Sequence, residues 1–302
     1  MDIALKVDVD TYRGTCEGVP RLVADLKARG VSASFYFSLG PDHTGRALRR
    51  VFRPGFLAKV QRTSVLSHYG LRTLLYGVLL PGPHIARRAR HVLASVAAAG
   101  HETGIHCYDH VYWQDNVANR DARWTRRQVE LAANAYREAF GHPPRAHCAA
   151  GWQVNATLFE LEDELELDYA SDCRGTAPFL PVMGGYRGRC PQLPTTLPTL
   201  DELVGVDDLT VAGAVDRILD LTASPPAAGA HVFTLHAELE GQRFAPDFAR
   251  LIDTWKARGV RLVTMAKLRA GLDVSRLPVH AVVHGELPGR SGTLALQGAR
   301  LG

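Results

Sequence analysis

From His43 to His101 the chain has no aspartate and no glutamate, yet that stretch holds ten basic residues: Arg46, Arg49, Arg50, Arg53, Lys59, Arg62, Arg72, Arg87, Arg88 and Arg90. The overall charge of +4 hides this asymmetry. Outside the stretch 25 basic residues face 31 acidic ones, a net of −6. A basic, apolar-rich segment on an otherwise acidic chain points to an anionic partner, either nucleic acid or a membrane surface. Cysteine is scarce too. Cys16, Cys107, Cys148, Cys173 and Cys190 are odd in number and scattered, which argues for reduced thiols rather than a disulfide framework. Long hydrophobic runs are missing. Stretches such as "LLYGVLLP" are far too short to span a bilayer. The opening "MDIALKVDVD" enters a strand-like pattern without a charged leader, apolar h-region or cleavage site, so no secretory signal is expected.

What is present is a repeating alternation. With 302 residues and 46% hydrophobic content, the chain can build a sizeable core in one large domain or two smaller ones. In "IALKVDVD", Ile3, Leu5, Val7 and Val9 face one way, and Asp8 and Asp10 the other. "EGVPRLVADLKARG" follows with helical spacing and Gly30 as its stop. "VSASFYFS", "HETGIH", "RAHCAA", "LDYASD", "HVFTLH" and "VRLVTM" read as strands. Between them "IARRARHVLASVAAAG", "TRRQVELAANAYREAFG", "NATLFELEDE", "VAGAVDRILDLTA" and "PDFARLIDTWKARG" read as helices, the second opening on a capping box at Thr125 and Gln128. Strands alternating with helices imply a mostly parallel sheet with crossover helices. Seven or eight such units predict an α/β protein, a distorted seven- or eight-stranded (β/α) barrel over residues 1–270. Residues 271–302 are rich in glycine and proline without a clear period, and read as an extended C-terminal tail.

In a parallel barrel, chemistry gathers at the C-terminal ends of the strands. Asp8 and Asp10 end the first strand. His106 ends another, with His110 four residues on. Asp172 ends the strand near residue 170, with Arg174 after it, and His236, followed by Glu238, ends "HVFTLH". Two imidazoles at that spacing can reach one metal ion, given a third ligand. Asp8 and Asp10 lie roughly 6.5 Å apart along a strand, which suits one to bind an ion and the other to reach a water beside it. Two histidines and a carboxylate leave positions open, as in a catalytic rather than a structural site.

The motifs "DVD", "HCYDH" and "TLHAE", in that order on alternating elements, resemble the polysaccharide deacetylase family. The resemblance implies a metal-dependent amide hydrolase on a distorted barrel. It implies Asp8 as general base, Asp10, His106 and His110 as ligands of one divalent ion (Zn, Mn or Co), His236 as general acid, and Asp172 as the carboxylate that tunes this acid. That family carries R-x-P-Tyr where this chain has "AAGW", so the motif arginine is gone and Arg174 is left to compensate. The blocks "DVDTYRGTCEGVPRLV", "SFYFSLGPD", "AAGW", "SDCRGTAPF", "LPTTLPTLDE" and "HAELEG" are similar to one branch of the family. Its members deformylate undecaprenyl phosphate-linked 4-deoxy-4-formamido-L-arabinose, a step in lipid A modification and polymyxin resistance.

A polyprenyl-linked substrate gives the basic stretch a purpose. "RALRRVFRPGFLAKVQRTSVLSHYGLRTLLYGVLL" mixes arginine with Phe, Leu and Tyr, as interfacial segments do. The expectation is an excursion at about residues 43–90 facing the anionic inner-membrane surface, on a cytoplasmic, peripheral protein. No nucleic-acid motif appears, so no nucleic acid partner is expected. Two alternatives stay open: an N-acetyl deacetylase acting on another glycan, and a non-catalytic membrane-bound scaffold.

Overall fold

The computed structural model describes residues 1–47 and 70–301. A curled, wholly parallel sheet carries the fold. Its strands are β1 (Asp2–Val9), β2 (Ser34–Ser38), β3 (Glu102–Cys107), β4 (Ala146–His147), β5 (Tyr169–Ala170), β8 (Ala230–His236) and β9 (Arg261–Val263), in the order β5-β4-β3-β2-β1-β8, with β9 pairing with the start of β1. This is the expected distorted α/β barrel, left as a half-barrel.

The alternation read in β1 decides which side is which. Ile3, Leu5, Val7 and Val9 join Phe35 and Phe37 on the outer face, under the helices. Those helices are α1 (Val19–Ala28), α2 (Arg90–Ala98), α4 (Ala122–Phe140), α6 (Val211–Leu221) and α7 (Ala245–Ala257), which press Leu22, Leu93, Tyr136, Ile218 and Trp255 into that layer. Ala4, Tyr36, Ala146, Cys148, Tyr169 and Val232 form a separate inner cluster. Both faces of β1 are therefore buried, and each buried aliphatic side chain contributes about 1.5–3 kcal/mol. The polar residues at the inner parity, Lys6, Asp8 and Asp10, are forced into the barrel interior by this register.

Some expected boundaries move. Helix α4 starts at Ala122, capped by Asp121, whose side chain accepts the Trp124 N–H; Thr125 and Gln128 lie buried further along and form no capping box. Asp caps as well as Thr does, so the earlier site wins. Residues 271–302 are not a loose tail. Strands β10 (Val279–Glu286) and β11 (Thr293–Leu301) form a hairpin in a second sheet of order β11-β10-β6-β7, with β6 at Leu180–Met183 and β7 at Tyr186–Arg187. A register shift between His280 and Val282 breaks the period-two pattern that would have announced it. All five cysteines are unpaired. Residues 48–69 of the basic excursion, with Arg49, Arg50, Arg53, Lys59 and Arg62, lie outside the described residues. No helix among the described residues is long and apolar enough to cross a membrane.

Candidate metal centre and active site

The two histidines of "HCYDH" do not share a helical turn. His106 sits near the end of β3, and His110 opens helix α3 (His110–Asn116). Asp109 makes the turn between them, its carboxylate accepting the Tyr112 N–H at 3.1 Å as the helix cap. The turn stacks the two rings 5.3 Å apart, and both Nε2 atoms point at Asp10 Oδ1, at 3.2 Å from His106 and 3.4 Å from His110. His106 Nδ1 donates to the Cys148 carbonyl at 2.8 Å, which fixes its tautomer and leaves Nε2 with a lone pair. Asp10 Oδ1 is buried and has no hydrogen-bond partner. Burial pushes the Asp10 carboxyl up, but His110 and His106 outweigh it and hold it well below the usual carboxylate range. Two imidazoles and an orphaned carboxylate oxygen converging on one point fit a divalent cation.

Asp8 lies beside this group. The parallel register sets Asp8 directly opposite His236 of β8 and opposite Tyr36 of β2. Strand spacing of about 4.8 Å then puts the expected base and the expected acid side by side. Asp8 is buried; Cys148 Sγ donates to its Oδ1 at 3.3 Å, and Lys6 Nζ stands 3.8 Å from its Oδ2. Lys6 also donates to the Ser171 carbonyl at 3.0 Å. The cation beside the base is therefore Lys6, a residue that the sequence reading passed over. Its signal was available: it shares the inward parity of Asp8, two positions earlier on the same strand.

Two expected residues sit elsewhere. Asp172 does not contact His236. Its carboxylate accepts from His147 Nδ1 at 2.8 Å, the Ala149 N–H at 2.6 Å and Gln192 Nε2 at 3.1 Å. It thereby anchors the loop leading to Ala150, and its carboxyl is lowered to about 2: burial opposes this, and His147 leads the groups that overcome it. The carboxylate facing His236 is Asp201, with Oδ1 3.8 Å from Nδ1. Glu240, also missed, accepts the His236 N–H at 2.8 Å. Arg174 is committed elsewhere as well. It pairs with buried Glu202, donates to the Leu197 carbonyl at 2.9 Å and lies 5.0 Å from the Trp152 ring. Glu238 braces the end of β1, accepting from the Asp10 N–H, the Thr11 N–H and Thr11 Oγ1.

No family model matches the chain. Over 99% of its length it is 36% identical to a protein of Shewanella sediminis named as a 4-deoxy-4-formamido-L-arabinose-phosphoundecaprenol deformylase, covering 95% of that protein. The chain belongs to that deformylase family, a group of amide hydrolases. A second protein so named, from Wigglesworthia glossinidia brevipalpis, is 30% identical over 94% of the chain and 98% of its own length. The fold matches a crystal structure from Mycobacterium smegmatis assigned to the polysaccharide deacetylases, with a TM-score of 0.65 over 95% of this chain and 94% of that one, at 19% identity. That likeness is one of fold.

Proposed function

We propose that the protein hydrolyses the formamide of undecaprenyl phosphate-linked 4-deoxy-4-formamido-L-arabinose to formate and the free 4-amino sugar, a step of lipid A modification. The observation that carries this reading is the convergence of Asp10, His106 and His110 on one point, with Asp8 and His236 in register alongside. A divalent ion held by the three ligands supplies Lewis acidity and a more acidic water. Asp8, its two oxygens fixed by Cys148 and Lys6, takes the water proton. The reading assigns the developing oxyanion to backbone N–H groups around Ala150–Trp152, of which the Trp152 N–H is spent on the Ala149 carbonyl. His236 returns a proton to the departing nitrogen, because an amine anion is a very poor leaving group. Mass spectrometry of the lipid-linked sugar before and after incubation tests the reading: loss of one formyl group supports it, and an unchanged mass with metal-loaded enzyme ends it.

The lipid carrier calls for a membrane-facing surface. Among the described residues, Leu71 is 68% exposed, Val78 53% and Leu79 76%, all within the stretch that lacks acids. Side chains of this kind beside arginines suit the interface of an anionic leaflet, where each Arg adds about 1 kcal/mol. Liposome co-sedimentation at low and high salt checks this. Salt removes the charge contribution, and Leu71→Asp with Leu79→Asp is expected to remove the remainder. Wild-type protein left in the supernatant at low salt would end the docking idea.

A further inference from the structure

The C-terminal hairpin brings a residue to the site that no motif announces. Strand β11 is stitched to the residue after Cys173: the Arg174 N–H donates to the Ala295 carbonyl at 2.9 Å, and the Gln297 N–H to the Arg174 carbonyl at 2.8 Å. The tip of the hairpin is pinned as well. Gly289 adopts φ +80°, and a Cβ there would lie 2.2 Å from the Glu202 carbonyl oxygen, so only glycine lets the turn press this close. The next residue, Arg290, is thereby held in one place.

Arg290 Nε donates to Glu202 Oε1 at 2.7 Å, and its guanidinium stands 4.5 Å from the Trp152 ring centre. Arg174 shares both the ring and the carboxylate, at 5.0 Å and through its own bond to Glu202. One Glu202 thus serves two guanidiniums, while its neighbour Asp201 faces His236, with Oδ1 3.8 Å from Nδ1. Trp152 holds φ 53°, an unfavourable left-handed backbone for a bulky residue, and its indole N–H is tied to Thr195 Oγ1 at 3.3 Å. Strain of this kind persists where surrounding structure fixes a functional position. Most tellingly, Arg290 Nη2 is buried with no partner. An arginine serving only to staple the hairpin would have its donors satisfied, since leaving one unmade costs about 1–3 kcal/mol. Glu202, which Arg290 grips, follows directly on Asp201, so the guanidinium is anchored one residue from the carboxylate that faces the expected acid.

We propose that Arg290 binds the phosphodiester of the substrate, with Trp152 and Glu202 orienting its planar fork and Nη2 donating to a phosphate oxygen. This rests on the deformylase reading, in which the formamide at sugar carbon 4 meets Asp10, His106 and His110 while the anomeric phosphate lies at the opposite end of the ring. A guanidinium matches phosphate geometry where an ammonium does not.

The test compares kcat/KM on farnesyl phosphate-linked 4-formamido-arabinose with kcat/KM on the neutral methyl glycoside of the same sugar. In Arg290→Gln the ratio of the two is expected to fall about 10- to 100-fold, the span of a charge-assisted hydrogen bond. Arg290→Lys, which keeps the charge without the fork, should fall less, and it carries the same test if the glutamine variant does not fold. An unchanged ratio overturns the assignment. A second arm measures calorimetric binding of L-arabinopyranose 1-phosphate to the metal-loaded wild type and variant. If wild type turns over neither formamide, the deformylase reading fails. The Arg290 assignment then stands if the variant binds this phosphate at least about tenfold more weakly, and falls if the two bind equally.

Discussion

The site has two halves built by different rules. Asp8, Asp10, His106, His110 and His236 each come from a strand end or the turn just after it, and parallel register alone sets Asp8 beside His236. Trp152, Arg174, Glu202 and Arg290 come from a 3-10 turn, a loop, a short helix and a hairpin tip, and meet through contacts between residues 22 to 138 positions apart. The first half is a property of the sheet, so short motifs suffice to read it. The second is a property of tertiary pairing, and nothing local in the sequence records it.

The sharpest way to break the comparison is to remove a group from the strand-end half. His106→Ala and His110→Ala are each expected to lose bound metal and turnover together; wild-type metal content in both variants would dissolve the Asp10–His106–His110 assignment. Asp8→Asn should keep the metal and lose about 10²- to 10⁴-fold in kcat, the usual contribution of a general base. A fall of less than about tenfold would place the base elsewhere.

That division also explains what could be read in advance. The alternation in β1 and the helical spacing of α1, α6 and α7 foretold the barrel, because burial of β1 on both faces and of one face of each helix leaves a periodic trace. The strand ends singled out Asp8, Asp10, His106, His110 and His236, and the structure gathers Asp10 with the two histidines of "HCYDH" and sets Asp8 opposite His236. Asp172 was found as an unusual residue but given the wrong neighbour, and Arg174 was singled out with no neighbour at all. The sequence places them one after the other past β5, whereas the structure ties Asp172 to His147 and Arg174 to Glu202. Asp201 stood inside the quoted block "LPTTLPTLDE" without a role, and Arg290 left no trace, since a charged residue looks like any solvated surface charge until the chain closes over it.

The pairing-dependent half should show itself in stability as much as in turnover. Glu202 is buried, and its carboxyl is lowered: burial opposes this, but Arg290 and Arg174 prevail. Glu202→Gln would leave two mostly buried guanidiniums without their shared counter-charge, at a cost of about 3–5 kcal/mol. In a chain of this size that corresponds to a fall in Tm of roughly 10 °C. Asp8→Asn should shift Tm much less, since it keeps the shape of a side chain held mainly by one thiol and one distant cation. Equal shifts in the two variants would mean that the halves are energetically alike.

The smallest effect lies where the halves touch, at Glu240. Its Oε2 accepts the His236 N–H, its Oε1 is buried without a partner, and burial pushes its carboxyl up to about 7 from an ordinary 4.5. Between those two values the folded protein keeps a proton that the unfolded chain has released. Stability from this group is therefore fully present below 4.5 and is lost as pH rises through about 7. At 1.36 kcal/mol per pKa unit, the whole loss is at most about 3 kcal/mol. Glu240→Gln copies the shape of the protonated carboxyl and cannot titrate. Its amide can still accept the His236 N–H, and its NH₂ replaces an oxygen that otherwise has no donor. Urea midpoints of the two proteins should lie close together near about pH 5 and separate toward about pH 8, with the glutamine variant the more stable at the alkaline end. Parallel pH profiles for wild type and Glu240→Gln would show that Glu240 holds no extra proton in the folded state. The strand-end half would then keep its charge pattern independently of the π-helical turn that follows β8.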